Sequence, residues 1–231
     1  MRTTITPPQP HPGPRWLYLH GFASGPESSK GVAIADHYAA RGIAVERLNL
    51  RVPSLEHLRL SAIMRVVRDA IGGADDRAVL FGSSLGGLTA CRVAEEDARV
   101  CALVLLAPAF CIAPRWRTRL GEEDWQRWQE TNAIEIDDHA EKKRTTVDFE
   151  FVRDLESIDT RSGGWPQVRV PTLIVHGVSD DVASIELTRM WAKGKRHVRL
   201  VEVDDGHELV KSLGRICAEA DAFLRNYGVE P

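Results

Sequence analysis

Six short apolar runs, separated by stretches of helical period, leave this chain few ways to fold. WLYLHG (16–21), VERLNL (45–50), AVLFGS (78–83), VCALVLLAP (100–108), TLIVHG (172–177) and VRLVEV (198–203) all have strand length. The middle runs are unbroken Val, Leu, Ile and Ala rather than alternating, as in strands covered on both faces. Between the runs the pattern predicts helices over about 30–41, 54–71, 85–97, 184–193 and 208–226. The second would carry Leu55, Leu58, Ile63, Val66, Val67, Ala70 and Ile71 on or near one stripe. Such alternation implies an α/β protein: a mostly parallel sheet of about six strands, flanked by helices.

One stretch breaks the alternation. From about Pro114 to Trp165 the chain is charged, rich in Trp and without a clear strand. It reads as a small helical cap inserted at about 112–165 into a single domain spanning 15–231, and caps of this kind often cover active sites. Trp116, Trp125 and Trp128 fall within it. They are candidates for lining an apolar acyl pocket; the competing role is to anchor small helices onto the core.

Composition narrows the class of partner. Of 231 residues 43% are hydrophobic, enough for a real core, and the formal charge is −3. That balance gives no reason to expect nucleic acid or an anionic membrane. No apolar run approaches the ~20 residues that span a bilayer. The proline-rich start, 1–14, lacks the apolar core of a signal peptide and reads as a flexible tail. Cys91, Cys101, Cys111 and Cys217 are widely spaced and show no CxxC. Reduced thiols in a cytoplasmic protein fit better than a disulfide framework or a metal site. His176 and Asp180 alone do not make a metal set, because no HExxH or His/Cys cluster accompanies them. Nothing in the pattern calls for a cofactor.

The chemistry concentrates at GSSLGG, residues 82–87. A serine becomes a nucleophile when its oxygen projects into a site and a base removes its proton. A sharp strand-to-helix turn provides the projection and needs small residues two before and two after. Gly82 and Gly86 flank Ser84 at that spacing, whereas Phe81 and Leu85 flank Ser83 and would crowd the turn. Ser84 is therefore the candidate. A phosphate loop, the main rival for these glycines, would need a following Lys-Ser/Thr that is absent. The helix opening at Leu85 would aim its N-terminus at a developing oxyanion. The Leu85 N–H is one candidate donor. The other is the Phe22 N–H, which follows His20-Gly21 at the end of the first strand. His20 itself reads as a hydrogen-bonded structural residue.

A serine of this kind needs an acid and a base later in the chain. HGVSDDV (176–182) places Asp180 and Asp181 just past a strand, and DDGHEL (204–209) places His207 just past the last one. Both loops leave the C-terminal edge of a parallel sheet, where ligands bind in such folds. His207 is the candidate base. Asp180 is favoured over Asp181 as the acid; Asp204 and Asp205 lie very close in sequence to His207.

HGF, GSSLGG, HGVSDDV and GHEL, in that order, resemble the motifs of the α/β-hydrolase fold over residues 15–227. The resemblance implies Ser84 as nucleophile, Asp180 as acid, His207 as base, and Phe22 and Leu85 at the oxyanion positions. It also implies a reduced sheet, since the family's usual eight strands would lack the first two. LYLHGFASGPESSKG (17–31) is similar to the start of the small bacterial YqiA-like esterases, with its Ser/Pro-rich loop at the pocket rim and Lys30 opening the next helix.

The expected activity is hydrolysis of a carboxylic ester of a small or medium acyl group through an acyl-enzyme. Thioesterase or amidase action would use the same residues, and a fold does not choose among them. A non-catalytic ligand-binding protein on the same scaffold is the alternative from another class.

Overall fold

The structure is a computed structural model that describes residues 13–159 and 164–229. The tail expected at 1–14 lies outside the described residues except for its last two. The chain runs β1 (Arg15–Leu19), α1 (Ser29–Ala39), β2 (Val45–Leu48), α2 (Leu60–Ile71), β3 (Ala78–Ser83), α3 (Leu85–Glu96) and β4 (Val100–Leu106). An insertion follows, made of α4 (Ile112–Leu120), α5 (Glu122–Thr131), β5 (Ile134–Asp138), β6 (Lys143–Val147) and α6 (Glu150–Asp159). The core resumes with β7 (Thr172–Gly177), α7 (Ile185–Ala192), β8 (Val198–Val203) and α8 (Leu213–Asn226).

Six strands form one sheet in the order β2-β1-β3-β4-β7-β8, and every neighbouring pair is parallel. β3 and β7 are buried along their whole length, which is why their sequences show no polar alternation. One apolar layer packs α1 and α8 against the sheet through Ile34, Tyr38, Ile216 and Phe223. The opposite layer packs α2 and α3 through Ile63, Val67, Leu88 and Val93. No helix among the described residues is long and apolar enough to cross a membrane.

Two local outcomes differ from the sequence reading. The helix expected from residue 54 begins at Leu60. The Ser54 hydroxyl accepts the His57 N–H at 3.2 Å, a local turn that competes with helix while Leu55 and Leu58 still reach the core. The insertion carries its helices but also an antiparallel hairpin, β5–β6, that the charged sequence hid. Ile134 and Ile136 do alternate with acids, but over too few residues to stand out.

The insertion is fastened to the core by polar bonds as well as by apolar packing, since Trp128, Phe151 and Leu155 share one buried cluster with α2 and α3. Arg51 grips Asp138 with two hydrogen bonds of 2.6 and 2.8 Å. The His139 and Ala140 N–H groups both donate to the Ala23 carbonyl. At the other end of the hairpin, Arg59 and His57 converge on Asp148.

Candidate active site

β3 ends where Ser84 takes φ 54° and ψ −116°, a left-handed conformation that non-glycine residues rarely adopt. Neighbouring bonds hold it there. The Ser84 N–H donates to the Leu106 carbonyl, and its own carbonyl accepts from Gly87, Leu88 and Ala109. The flanking glycines have no room for a side chain. A methyl group at Gly82 would lie 2.5 Å from the Gly86 carbonyl oxygen, and one at Gly86 would lie 2.2 Å from that of Leu19. The small-residue spacing read from the sequence thus has a steric cause on both sides. Ser83 is buried beside Ser84.

The loop after β1 closes against this turn. A methyl at Gly21 would come within 3.2 Å of Ser84 Cβ, a tight contact that glycine avoids as the backbone leading to Phe22 passes the serine. Leu85 starts α3, placing its N–H beside the serine at a helix N-terminus. His20 is 3% exposed: Nε2 accepts the Leu50 N–H at 3.0 Å, so Nδ1–H donates to the Gly21 carbonyl at 2.8 Å. Burial pushes its pKa below the ordinary value. It shapes the loop as a neutral ring.

Past β7, Asp180 turns its carboxylate inward, fully buried. Oδ1 accepts the N–H groups of Val182 and Ala183 at 2.8 and 2.7 Å. Oδ2 accepts Nδ1–H of His207 at 2.8 Å. Burial alone would raise the pKa of this acid; hydrogen bonds from His176, His207 and the Ala183 N–H reverse that and hold it well below the usual range. Asp181 is exposed instead. Asp205 caps its own turn through Gly206 and Ser212.

Two partners were not read from the sequence. His176, fully buried on β7, lies with Nε2 3.1 Å from Asp180 Oδ2 and 3.1 Å from the Ala183 carbonyl. Both neighbours are acceptors, so Nε2 carries the proton and donates; Nδ1 has no partner. The four-residue interval in HGVSD was the available signal. Lys30, on α1, is 5% exposed and sends its ammonium to the Glu208 carbonyl at 3.1 Å and its carboxylate at 2.9 Å. It thereby ties the first helix to the residue after His207.

Ser84 and His207 line one cavity of about 800 Å³. Its lining includes Tyr18, Ser28 and Lys30 and the apolar side chains of Phe22, Ile112, Trp116, Leu120, Ile136 and Phe151. Of the three tryptophans expected at an acyl pocket, only Trp116 reaches it, its ring 4.9 Å from that of Phe22. Trp125 and Trp128 are core residues, 3% and 1% exposed. They stack edge-on with Phe149, and the Trp128 N–H donates to Val147. The anchoring role prevails for those two because α5 has no other large apolar side chains to bury. Among the described residues, no three His, Cys, Asp or Glu side chains converge as metal ligands would.

A parallel sheet with a strained serine at one strand end, and histidine and aspartate loops at two others, defines an α/β-hydrolase fold. The profile of the uncharacterised protein family UPF0227 matches residues 15–224, and the chain belongs to that family, the YqiA-like group to which its motifs pointed. Solved structures of similar fold include the alpha/beta hydrolase domain-containing protein 10 from mouse, at 16% identity and TM-score 0.76 over 92% of this chain and 90% of that one. Est1E from Butyrivibrio proteoclasticus, with ferulic acid bound, is 21% identical, with TM-score 0.77 over 94% and 90%. The monoacylglycerol lipase of Paleococcus ferrophilus is 15% identical, with TM-score 0.70 over 93% and 96%. No curated protein sequence matches the chain.

Proposed function

We propose that this protein is a serine hydrolase that cleaves carboxylic esters of small or medium acyl groups through an acyl-enzyme. The observation that carries the reading is the 2.8 Å bond from His207 Nδ1 to Asp180, with His207 and Ser84 on one cavity. With Nδ1–H committed to Asp180, the neutral ring leaves Nε2 as an acceptor, the tautomer a general base needs. Ser84 Oγ attacks the ester carbonyl as its proton passes to His207, and the Phe22 and Leu85 N–H groups receive the oxyanion. The tetrahedral intermediate collapses when His207 protonates the leaving alcohol. Water, deprotonated by the same ring, then releases the acid and restores Ser84.

The fold neighbours support an ester substrate, since Est1E holds ferulic acid and another is a monoacylglycerol lipase. The apolar wall at Trp116 and Phe151 fits an acyl chain. A cytoplasmic location is supported by four unpaired cysteines, with the Cys91 thiol fully buried and its pKa raised by that burial. A fluorophosphonate probe tests the proposal. It should label wild type and Ser83→Ala but not Ser84→Ala; equal labelling of Ser84→Ala would overturn it.

A further inference from the structure

α4 turns one face to the cavity. Ile112, Arg115, Trp116, Arg119 and Leu120 all line it, at the three- and four-residue intervals that share a helix face. Two of those five are arginines, an odd choice for the wall of an acyl pocket. The other charged side chains at the cavity already have partners: Lys30 pairs with Glu208, and Glu135 and Asp137 with Arg144. Arg117, on the outer face of the same helix, pairs with Glu122. Among the described residues, neither Arg115 nor Arg119 forms an ion pair with a carboxylate; Arg115 instead donates to the Val182 carbonyl.

The two guanidiniums also work against each other. Burial lowers the Arg115 pKa, and the Arg119 charge adds to that, while Asp180, already committed to two histidines, and Cys111 act the other way. Like charges four residues apart on a helix are destabilising unless something neutralises them. Space for a neutralising group exists. A second, open groove of about 500 Å³ lies against the same helix and shares Arg115, Trp116, Arg119 and Val182 with the cavity, with Asp181 as its acidic side chain.

We infer that Arg115 and Arg119 form an anion subsite, and that the substrate is an ester carrying a carboxylate or similar anion beside its apolar chain. The inference rests on the hydrolase reading for the word ester, but the subsite itself does not need turnover. Guanidinium forks hold carboxylates through paired charge-assisted bonds, which suits a fixed anion at the cavity mouth.

Matched esters test it and locate the charge. Para-nitrophenyl hexanoate against mono(para-nitrophenyl) adipate places an anion on the acyl side. The butyrate ester of methyl para-hydroxybenzoate against that of para-hydroxybenzoate places it on the leaving group. In one of the two pairs the anionic member should have the higher kcat/KM by about tenfold, the scale of one lost charge-assisted hydrogen bond. That ratio should collapse in Arg115→Gln/Arg119→Gln, fall with added salt, and invert in Arg119→Glu. Equal rates within both pairs, or a ratio indifferent to the double substitution, would overturn the subsite. Fluorophosphonate labelling of the same samples separates the two claims: labelled enzyme with flat ratios sinks the anion subsite alone. Should no ester turn over, calorimetry on the Ser84→Ala protein decides the matter. Monoethyl adipate should bind more tightly than ethyl hexanoate, and equal affinity would sink the idea.

Discussion

His176 sits behind the Asp180 carboxylate, its Nε2 3.1 Å from the same oxygen that accepts the His207 bond at 2.8 Å. A buried carboxylate with one donor on each side, and two main-chain N–H groups on its other oxygen, stays ionised where burial would otherwise neutralise it. His207 is thus oriented by an acid that is itself oriented.

Removing that second donor should show in both catalysis and acid stability. His176→Ala is expected to lower kcat by about tenfold with little change in KM, because the ring acts through Asp180 and not on substrate. His176→Gln, which can still donate, should recover part of the loss. The pH effect has a definite sign. Asp180 has a folded pKa below its unfolded value of about 3.9, so its stabilisation is full above that pH and is lost as pH falls toward the folded value. Losing the His176 bond raises the folded value, so the acid-unfolding midpoint followed by circular dichroism should move to higher pH.

The glycines of the serine turn make a steric prediction. Gly86→Ala must push its new methyl into the Leu19 carbonyl, 2.2 Å away, and should destabilise the fold by about 2 kcal/mol or more. Gly214→Ala, in α8 with nothing within 4 Å, should instead be neutral or stabilising by about 0.5–1 kcal/mol. Denaturant midpoints of the two variants provide the comparison.

Lys30→Met separates positioning from stability. The Glu208 side chain is 72% exposed, so water can solvate its carboxylate once the ammonium is gone, and stability should stay within about 1–2 kcal/mol of wild type. The loop bearing His207 nevertheless loses its anchor to α1, so kcat/KM should fall by about tenfold, the effect of a small misplacement of a catalytic group. Urea melts and ester kinetics on the same preparation would expose a mismatch with either half.

The tryptophans should divide by position. Trp128→Ala removes a 1% exposed ring and its bond to Val147, and should cost about 3–5 kcal/mol in chemical denaturation. Trp116→Ala should cost less stability, and chiefly reduce kcat/KM for hexanoyl over acetyl esters. A Trp116 variant with unchanged chain-length preference would remove that residue from the acyl wall.

Much of this was legible in the sequence because its causes are local. Unbroken apolar runs require a doubly covered sheet, and Gly82 and Gly86 single out Ser84 by steric spacing. It is the Asp180 carboxylate, and not that of Asp181, that turns inward to His207, something adjacent identical residues cannot reveal. The Lys30–Glu208 tie spans 178 positions and leaves no periodic trace. The β5–β6 hairpin was hidden for another reason. Its exposed face is charged, and its pairing partners, such as Asp137 and Arg144, look like solvated helix residues until the strands are aligned.

The insertion adds ionic ties to the apolar packing it shares with the sheet beneath. Arg51–Asp138 and Arg59–Asp148 pin the roof alongside buried Trp128, Phe151 and Leu155. Both ties end on a buried carboxylate, so salt screens them less than it would an exposed pair. Acid reaches one of them instead, because Arg51 draws the Asp138 carboxyl down to about 2. Its stabilisation is complete above about pH 4 and disappears toward pH 2. Acid therefore loosens the roof over the cavity through a group that the sheet does not depend on.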